Sequence, residues 1–113
     1  MVYGAIIGDV VNSTSYKELF KLPYQLTSIF EEINKQYKIS FQIYRGDSFT
    51  IIVHDFRYVE NVYSLIKTFL QEKHKLSVKM IYDIGQISHF DDNPGYCYGE
   101  LLTKLGRKFD KEI

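Results

Sequence analysis

Apolar residues recur along this chain with three different periods, and each period predicts an element. Val2–Ile7 is apolar at almost every position and ends at Gly8-Asp9, the mark of a central strand covered on both faces. Asn12, Ser13, Thr14 and Ser15 form a polar connection with several potential helix N-caps. Leu19, Leu22, Leu26, Ile29, Phe30, Ile33 and Tyr37 then recur at spacings of three and four, which predicts an amphipathic helix. Pro23 suits the first position of that helix, with Tyr16–Leu22 as a looser turn before it. Ile39–Tyr44 and Ser48–Val53 are rich in β-branched and aromatic residues, and Arg45-Gly46-Asp47 separates them as a hairpin turn. His54-Asp55 closes the third strand and caps a second helix, whose apolar face is Val59, Val62, Leu65, Ile66, Phe69 and Leu70. Leu76, Val78, Met80, Tyr82 and Ile84 alternate with Ser77, Lys79, Ile81 and Asp83, predicting a fourth strand with one well-buried face. Asp91–Gly95 reads as a loop and Tyr98–Asp110 as a closing helix.

The resulting order is β-α-β-β-α-β followed by a helix. It predicts an α+β, ferredoxin-like fold with helices on one face of an antiparallel sheet. In that topology the third strand lies between the first and second, antiparallel to both. The end of the first strand then meets the start of the third, so Asp9 and Asp47 become neighbours. Two adjacent carboxylates repel unless a cation sits between them, and Mg2+ or Mn2+ is the natural cofactor for an oxygen-donor site. Each Asp follows a glycine, Gly8 or Gly46, which allows close approach of backbone or ligand. The backbone N–H groups of Val10, Val11, Asn12 and Ser13 are candidates to cradle a phosphate. The plainer alternative is that Gly-Asp is a common turn dipeptide and that an Asp at a strand end caps the next segment.

Composition narrows the classes. The 113 residues predict a single domain over 1–113, long enough to form a core without disulfides or structural metal. Fourteen basic residues cancel fourteen acidic ones, without a basic cluster, which argues against general nucleic-acid binding. No apolar stretch approaches the ~20 residues needed to span a bilayer, and the N-terminus lacks the basic region of a signal peptide. With Cys97 alone there is no internal disulfide and no zinc framework, so a reducing, cytoplasmic setting is expected. Cys97 itself reads as a small, buried or half-buried side chain. Ten Tyr and eight Phe with no Trp suit core positions, while Tyr58, Tyr63 and Tyr96 are candidates for an exposed interface. Arg45 reads as a hairpin charge that is also within reach of a phosphate. His89, Asp91 and Asp92 read as a solvated loop, with a second metal site as the alternative.

Three stretches carry a resemblance. Ala5-Ile6-Ile7-Gly8-Asp9-Val10-Val11-Asn12-Ser13, Tyr44-Arg45-Gly46-Asp47-Ser48-Phe49 and Ile81-Tyr82-Asp83-Ile84-Gly85-Gln86-Ile87 resemble matching stretches of SatD-family bacterial proteins. SatD-like domains are similar in turn to class III nucleotidyl cyclases and polymerase palms. The resemblance implies that Asp9 and Asp47 hold metal. It also implies that Gly99, Thr103 and Arg107 lie at the cyclase Gly, Asn and Arg positions of the last helix, where Arg107 would stabilise charge on a transferring phosphoryl group. Lys104 and Lys108 flank that Arg and are candidates to steer an anionic ligand, with the plainer alternative that a helix end favours cations through its dipole. The departures are specific: Ile43 replaces a base-reading Lys, Tyr96 falls near a base-selecting acid, and Thr103 replaces the orienting Asn. No Gly-Gly-Asp-Glu-Phe or Gly-Gly-Asp-Asp signature is present. The expectation is a Mg2+-dependent nucleotide-binding domain, a small cyclase or nucleotidyltransferase acting on a nucleoside triphosphate of unspecified base. Cyclases assemble the Asp pair and the Asn/Arg helix from different subunits, so a homodimer is implied. A catalytically silent regulatory or assembly module with the same fold, and a minimal palm making oligonucleotide signals, are the alternatives.

Overall fold

The computed structural model describes residues 1–11 and 19–111, Leu19 by its backbone only. Strand β1 spans Val2–Val11 and helix α1 spans Leu22–Asn34. Strands β2 (Ile39–Tyr44) and β3 (Ser48–Val53) form the hairpin, and helix α2 spans Val59–Thr68. Strand β4 (Ser77–Gln86) and helix α3 (Glu100–Lys111) complete the chain. The sheet order is β2-β3-β1-β4, with every neighbouring pair antiparallel. β3 therefore lies between β1 and β2, as the element order predicts.

Local chemistry explains the boundaries. A 3-10 turn at Leu19–Lys21 leads into α1, and Pro23 occupies its first turn, where a missing N–H breaks no helical bond. In the hairpin turn Arg45 (φ 57°) and Gly46 (φ 81°) both adopt left-handed backbone, which Gly46 does without a Cβ penalty. Asp55 caps a 3-10 turn at Phe56–Tyr58 that feeds α2, accepting the Arg57 N–H at 3.1 Å. α2 continues into a π turn at Phe69–Lys73. α3 starts at Glu100 and not at Tyr98, because Tyr98 forms a β-bridge with His89 and Gly99 breaks the chain at φ 155°.

The sheet is covered on both faces. On one, Ile6, Val10, Phe49, Ile51 and Met80 pack against Leu22, Leu26, Phe30, Ile33, Val62 and Ile66 of α1 and α2. Fully burying such a side chain contributes about 1.5–3 kcal/mol each. On the other face, Tyr3, Ala5, Ile52 and Ile81 pack against Leu101 and Leu105 of α3. The βαββαβ helices share one face, and the closing helix takes the opposite one. This layering corrects the reading of β4. Ile81, expected on the solvent side, is buried under the α3 layer, while Ile84, near the end of an edge strand, is 42% exposed. Among the described residues no helix is long and apolar enough to cross a membrane.

Candidate functional site

The carboxylate pair is built by strand register. Asp9 stands opposite Ser48 in the β1–β3 ladder, and Asp47 is the turn residue immediately before Ser48. The Ser48 hydroxyl donates to Asp9 Oδ1 and stands 3.4 Å from Asp47 Oδ1, so one hydroxyl lies between two carboxylates. Ser48 itself is only 3% exposed. The Val10 N–H donates to the Asp47 carbonyl at 2.9 Å, which pins the hairpin turn against the end of β1. Odd-numbered residues of β1 face α3, and Asp9 accordingly lines a groove of about 330 Å3 with Ile7, Tyr44, Arg45, Gly106, Phe109 and Asp110. Lys79 holds the helix side of that groove, donating to the Phe109 carbonyl at 2.9 Å with its ammonium 4.2 Å from the Phe109 ring centroid. Across the groove the Arg45 guanidinium lies 5.5 Å from the Tyr44 ring centroid.

Among the described residues no group of three or more His, Cys, Asp or Glu side chains has metal-binding geometry. Two carboxylates still fit a hard cation, because Mg2+ is usually held by one or two carboxylates while water and phosphate fill its shell. The donor set matches that chemistry and is poor in the nitrogen and sulfur ligands that zinc or copper would favour.

No family model matches the chain, and no curated protein sequence matches it. Solved structures do. The non-canonical dimeric guanylyl cyclase domain of the RhoGC fusion protein from the aquatic fungus Blastocladiella emersonii superposes with a TM-score of 0.74 at 15% identity, over 96% of this chain and 73% of that one. A bacterial light-regulated adenylyl cyclase matches with a TM-score of 0.67 at 14% identity, over 98% of this chain and 71% of that one. The fold is that of a nucleotidyl cyclase domain. At such identities the likeness concerns the fold alone, and the SatD resemblance rests on its motifs.

Within this cyclase-like fold the expected site residues fall into two groups. Asp9 and Asp47 come together, as the topology requires. Thr103 and Arg107 line a different groove of about 600 Å3 on α3, with Glu100, Lys104, Lys108 and Lys111. The Thr103 hydroxyl donates back to the Gly99 carbonyl at 3.2 Å, and Lys104 pairs with Asp83 at 3.2 Å. Burial opposes ionisation of Asp83, but the Ile84 N–H, Lys104 and Lys108 outweigh it and hold its pKa below the usual range.

The phosphate cradle needs correction. Val10 and Val11 belong to β1, where Val11 faces Ser77, and the Val10 N–H is already committed to the Asp47 carbonyl. The strand does not stop at Ile7, because both its neighbours run past Gly8. Asn12 and Ser13 lie outside the described residues. Gly8 also has a different role from the expected close approach of a ligand: a Cβ there would meet Phe49 Cζ at 2.4 Å and Met80 Cγ at 2.7 Å, so its absence is a core requirement. Ile43 is half-buried against the α1/α2 core, and Tyr96 is exposed on a 3-10 turn at Pro94–Tyr96. Cys97 is half-buried, its Sγ 3.1 Å from both the N and the O of Asp91, and burial raises its pKa. Tyr63, expected to be exposed, is half-buried with its hydroxyl donating to the Met80 carbonyl at 3.3 Å. Ser48 lies within the resembling stretch Tyr44–Phe49, but the resemblance gives it no role. Its signal is register: it is the strand partner of Asp9 and the sequence neighbour of Asp47.

Proposed function

We propose that this chain is a divalent-metal-dependent nucleotide-binding domain that acts on a nucleoside triphosphate as a homodimer, in the manner of a small nucleotidyl cyclase or nucleotidyltransferase. The observation that carries the reading is the convergence of Asp9 and Asp47 on one buried hydroxyl, beside an open groove, in a fold shared with cyclase domains. Asp9 and Asp47 would hold Mg2+ or Mn2+. When bound, such a cation supplies positive charge to phosphate oxygens and to a developing oxyanion. Arg107 is the group assigned to the transferring phosphoryl, with Thr103 beside it on the same helix. Those two line a different groove from Asp9, which supports a site completed by a second copy. The fungal guanylyl cyclase domain with this fold is dimeric by its own description.

Incubation with Mn2+ and each of the four nucleoside triphosphates, followed by pyrophosphate detection, tests this reading. Release with at least one triphosphate is expected, and its loss in Asp47→Asn. The same variant should weaken Mn2+ binding at least about tenfold, since it removes one of only two charged ligands. Unchanged metal affinity would sink the assignment.

A second reading, a catalytically silent regulatory or assembly module, is favoured by one observation. Thr103 stands where an orienting Asn is expected, and its hydroxyl turns back onto the Gly99 carbonyl. Metal binding by a confirmed dimer without pyrophosphate release from any triphosphate would select it.

A further inference from the structure

Ser48 is the one buried polar side chain at the carboxylate end of the sheet among the described residues. It is 3% exposed, and among those residues its hydroxyl has no neighbours to satisfy it other than Asp9 Oδ1 and Asp47 Oδ1. Its position is fixed twice over: Ser48 pairs with Asp9 across β1–β3 and with Tyr44 across β2–β3, so it cannot move without breaking two ladders. Among the described residues Asp9 is held by one of its two oxygens: Oδ1 accepts the serine hydroxyl, and Oδ2 is the oxygen assigned to a cation.

That asymmetry bears on which cation is taken. Ca2+ accommodates six to eight oxygens at long distances and readily takes a carboxylate by both oxygens, whereas Mg2+ demands a compact octahedron and takes one oxygen from each carboxylate. We propose that Ser48 is a positioning residue that enforces single-oxygen binding by Asp9, and so makes the site discriminate against Ca2+ in favour of Mg2+ and Mn2+. The inference rests on Asp9 and Asp47 being the metal ligands.

The test uses the full chain and needs no catalytic activity. Free Mn2+ is counted by electron paramagnetic resonance, and Mg2+ and Ca2+ are titrated as competitors. The measurement is made on the native sequence, on Ser48→Ala, and on Ser48→Cys, which keeps the shape of the side chain at a slightly larger size but replaces the hydroxyl with a weak donor. The native chain should prefer Mg2+ over Ca2+. In both variants that preference should fall by about tenfold, chiefly through tighter Ca2+ binding as Asp9 becomes free to use both oxygens. A serine that merely supported the fold would weaken all three cations together and leave the ratio unchanged, and that result overturns the proposal. If Ser48→Ala does not fold, Ser48→Cys carries the comparison alone. Failure of the native chain to bind Mn2+ would overturn the metal assignment and this inference with it. Mn2+ binding with an unaltered Mg2+/Ca2+ ratio in the variants would overturn the inference and leave the assignment standing.

Discussion

The two ends of the sheet surround their buried serine hydroxyls with different partners. At one end Asp9, Ser48 and Asp47 cluster beside a groove of about 330 Å3. At the other, the Ser40 hydroxyl lies 2.8 Å from His54 Nε2, and aromatic rings close over the pair. Tyr3 stacks on Phe90 with centroids 5.2 Å apart, and Phe90 meets the His54 ring edge-on at 4.9 Å. Both ends contain a hydroxyl bonded to a titratable group, but only one group can shed its charge near neutral pH. An imidazole can be covered as the neutral form, whereas covering a carboxylate pair would require a cation or full hydrogen bonding. Among the described residues the imidazole is half-buried under aromatic rings, while Asp9, equally half-buried, lines a groove that a ligand can enter.

The largest expected effect comes from the floor beneath the open end. Phe49 is fully buried, sits edge-on to Phe30 at 5.1 Å, and lies across Gly8. Phe49→Ala should destabilise the fold by about 3–5 kcal/mol, measured by urea unfolding. A loss below about 1 kcal/mol would show that the carboxylate end does not rest on the main core. Removing the ring over the other end should have less effect. Phe90 is half-buried, so Phe90→Ala should cost about 1–2 kcal/mol, part of it from the lost ring stacking. The same variant should raise the His54 pKa toward its ordinary value, followed by NMR titration of the ring. An unmoved titration would mean that the Phe90 ring is not what keeps His54 dry.

Much of the carboxylate end is legible in the sequence. The βαββαβ order places β3 beside β1, and the meeting of Asp9 with Asp47 follows from topology without side-chain detail. The illegible part depends on contacts between distant residues. Gly8-Asp9 looks like a turn, yet the strand continues to Val11 because β4 pairs with it as far as Ser77. Gly8 looks like room for a ligand, but Phe49 and Met80 fill that room. The alternation of β4 suggests one buried face, and only α3 on the opposite side explains why Ile81 is buried as well. Thr103 and Arg107 share a helix face by spacing, but their separation from the Asp9 groove is a tertiary fact. Ser48 lies in a resembling stretch that assigns it no role, and a serine opening a strand is ordinary.

The smallest effect is a pH dependence that isolates the His54 end. Burial, and then the Lys38 ammonium, push the His54 pKa below the ordinary 6.5, with Asp92 pulling weakly the other way. The Ser40 hydroxyl can either donate or accept, so its bond to His54 survives protonation and does not fix the charge state. Because the folded pKa is the lower one, the unfolded chain takes up the proton first as pH falls. The contribution of His54 to stability is therefore fully present above 6.5 and declines below it, until pH has passed the folded pKa. Thermal unfolding from about pH 5 to pH 8 should show a steeper acid-side decline in the native chain than in His54→Gln. Since the ring is only half-buried, the difference should be small, and added salt should shrink the part due to exposed Lys38 but not the part due to burial. Identical profiles for the two chains would mean that His54 stays wet behind its rings, and the contrast between the two ends would then reduce to one of shape.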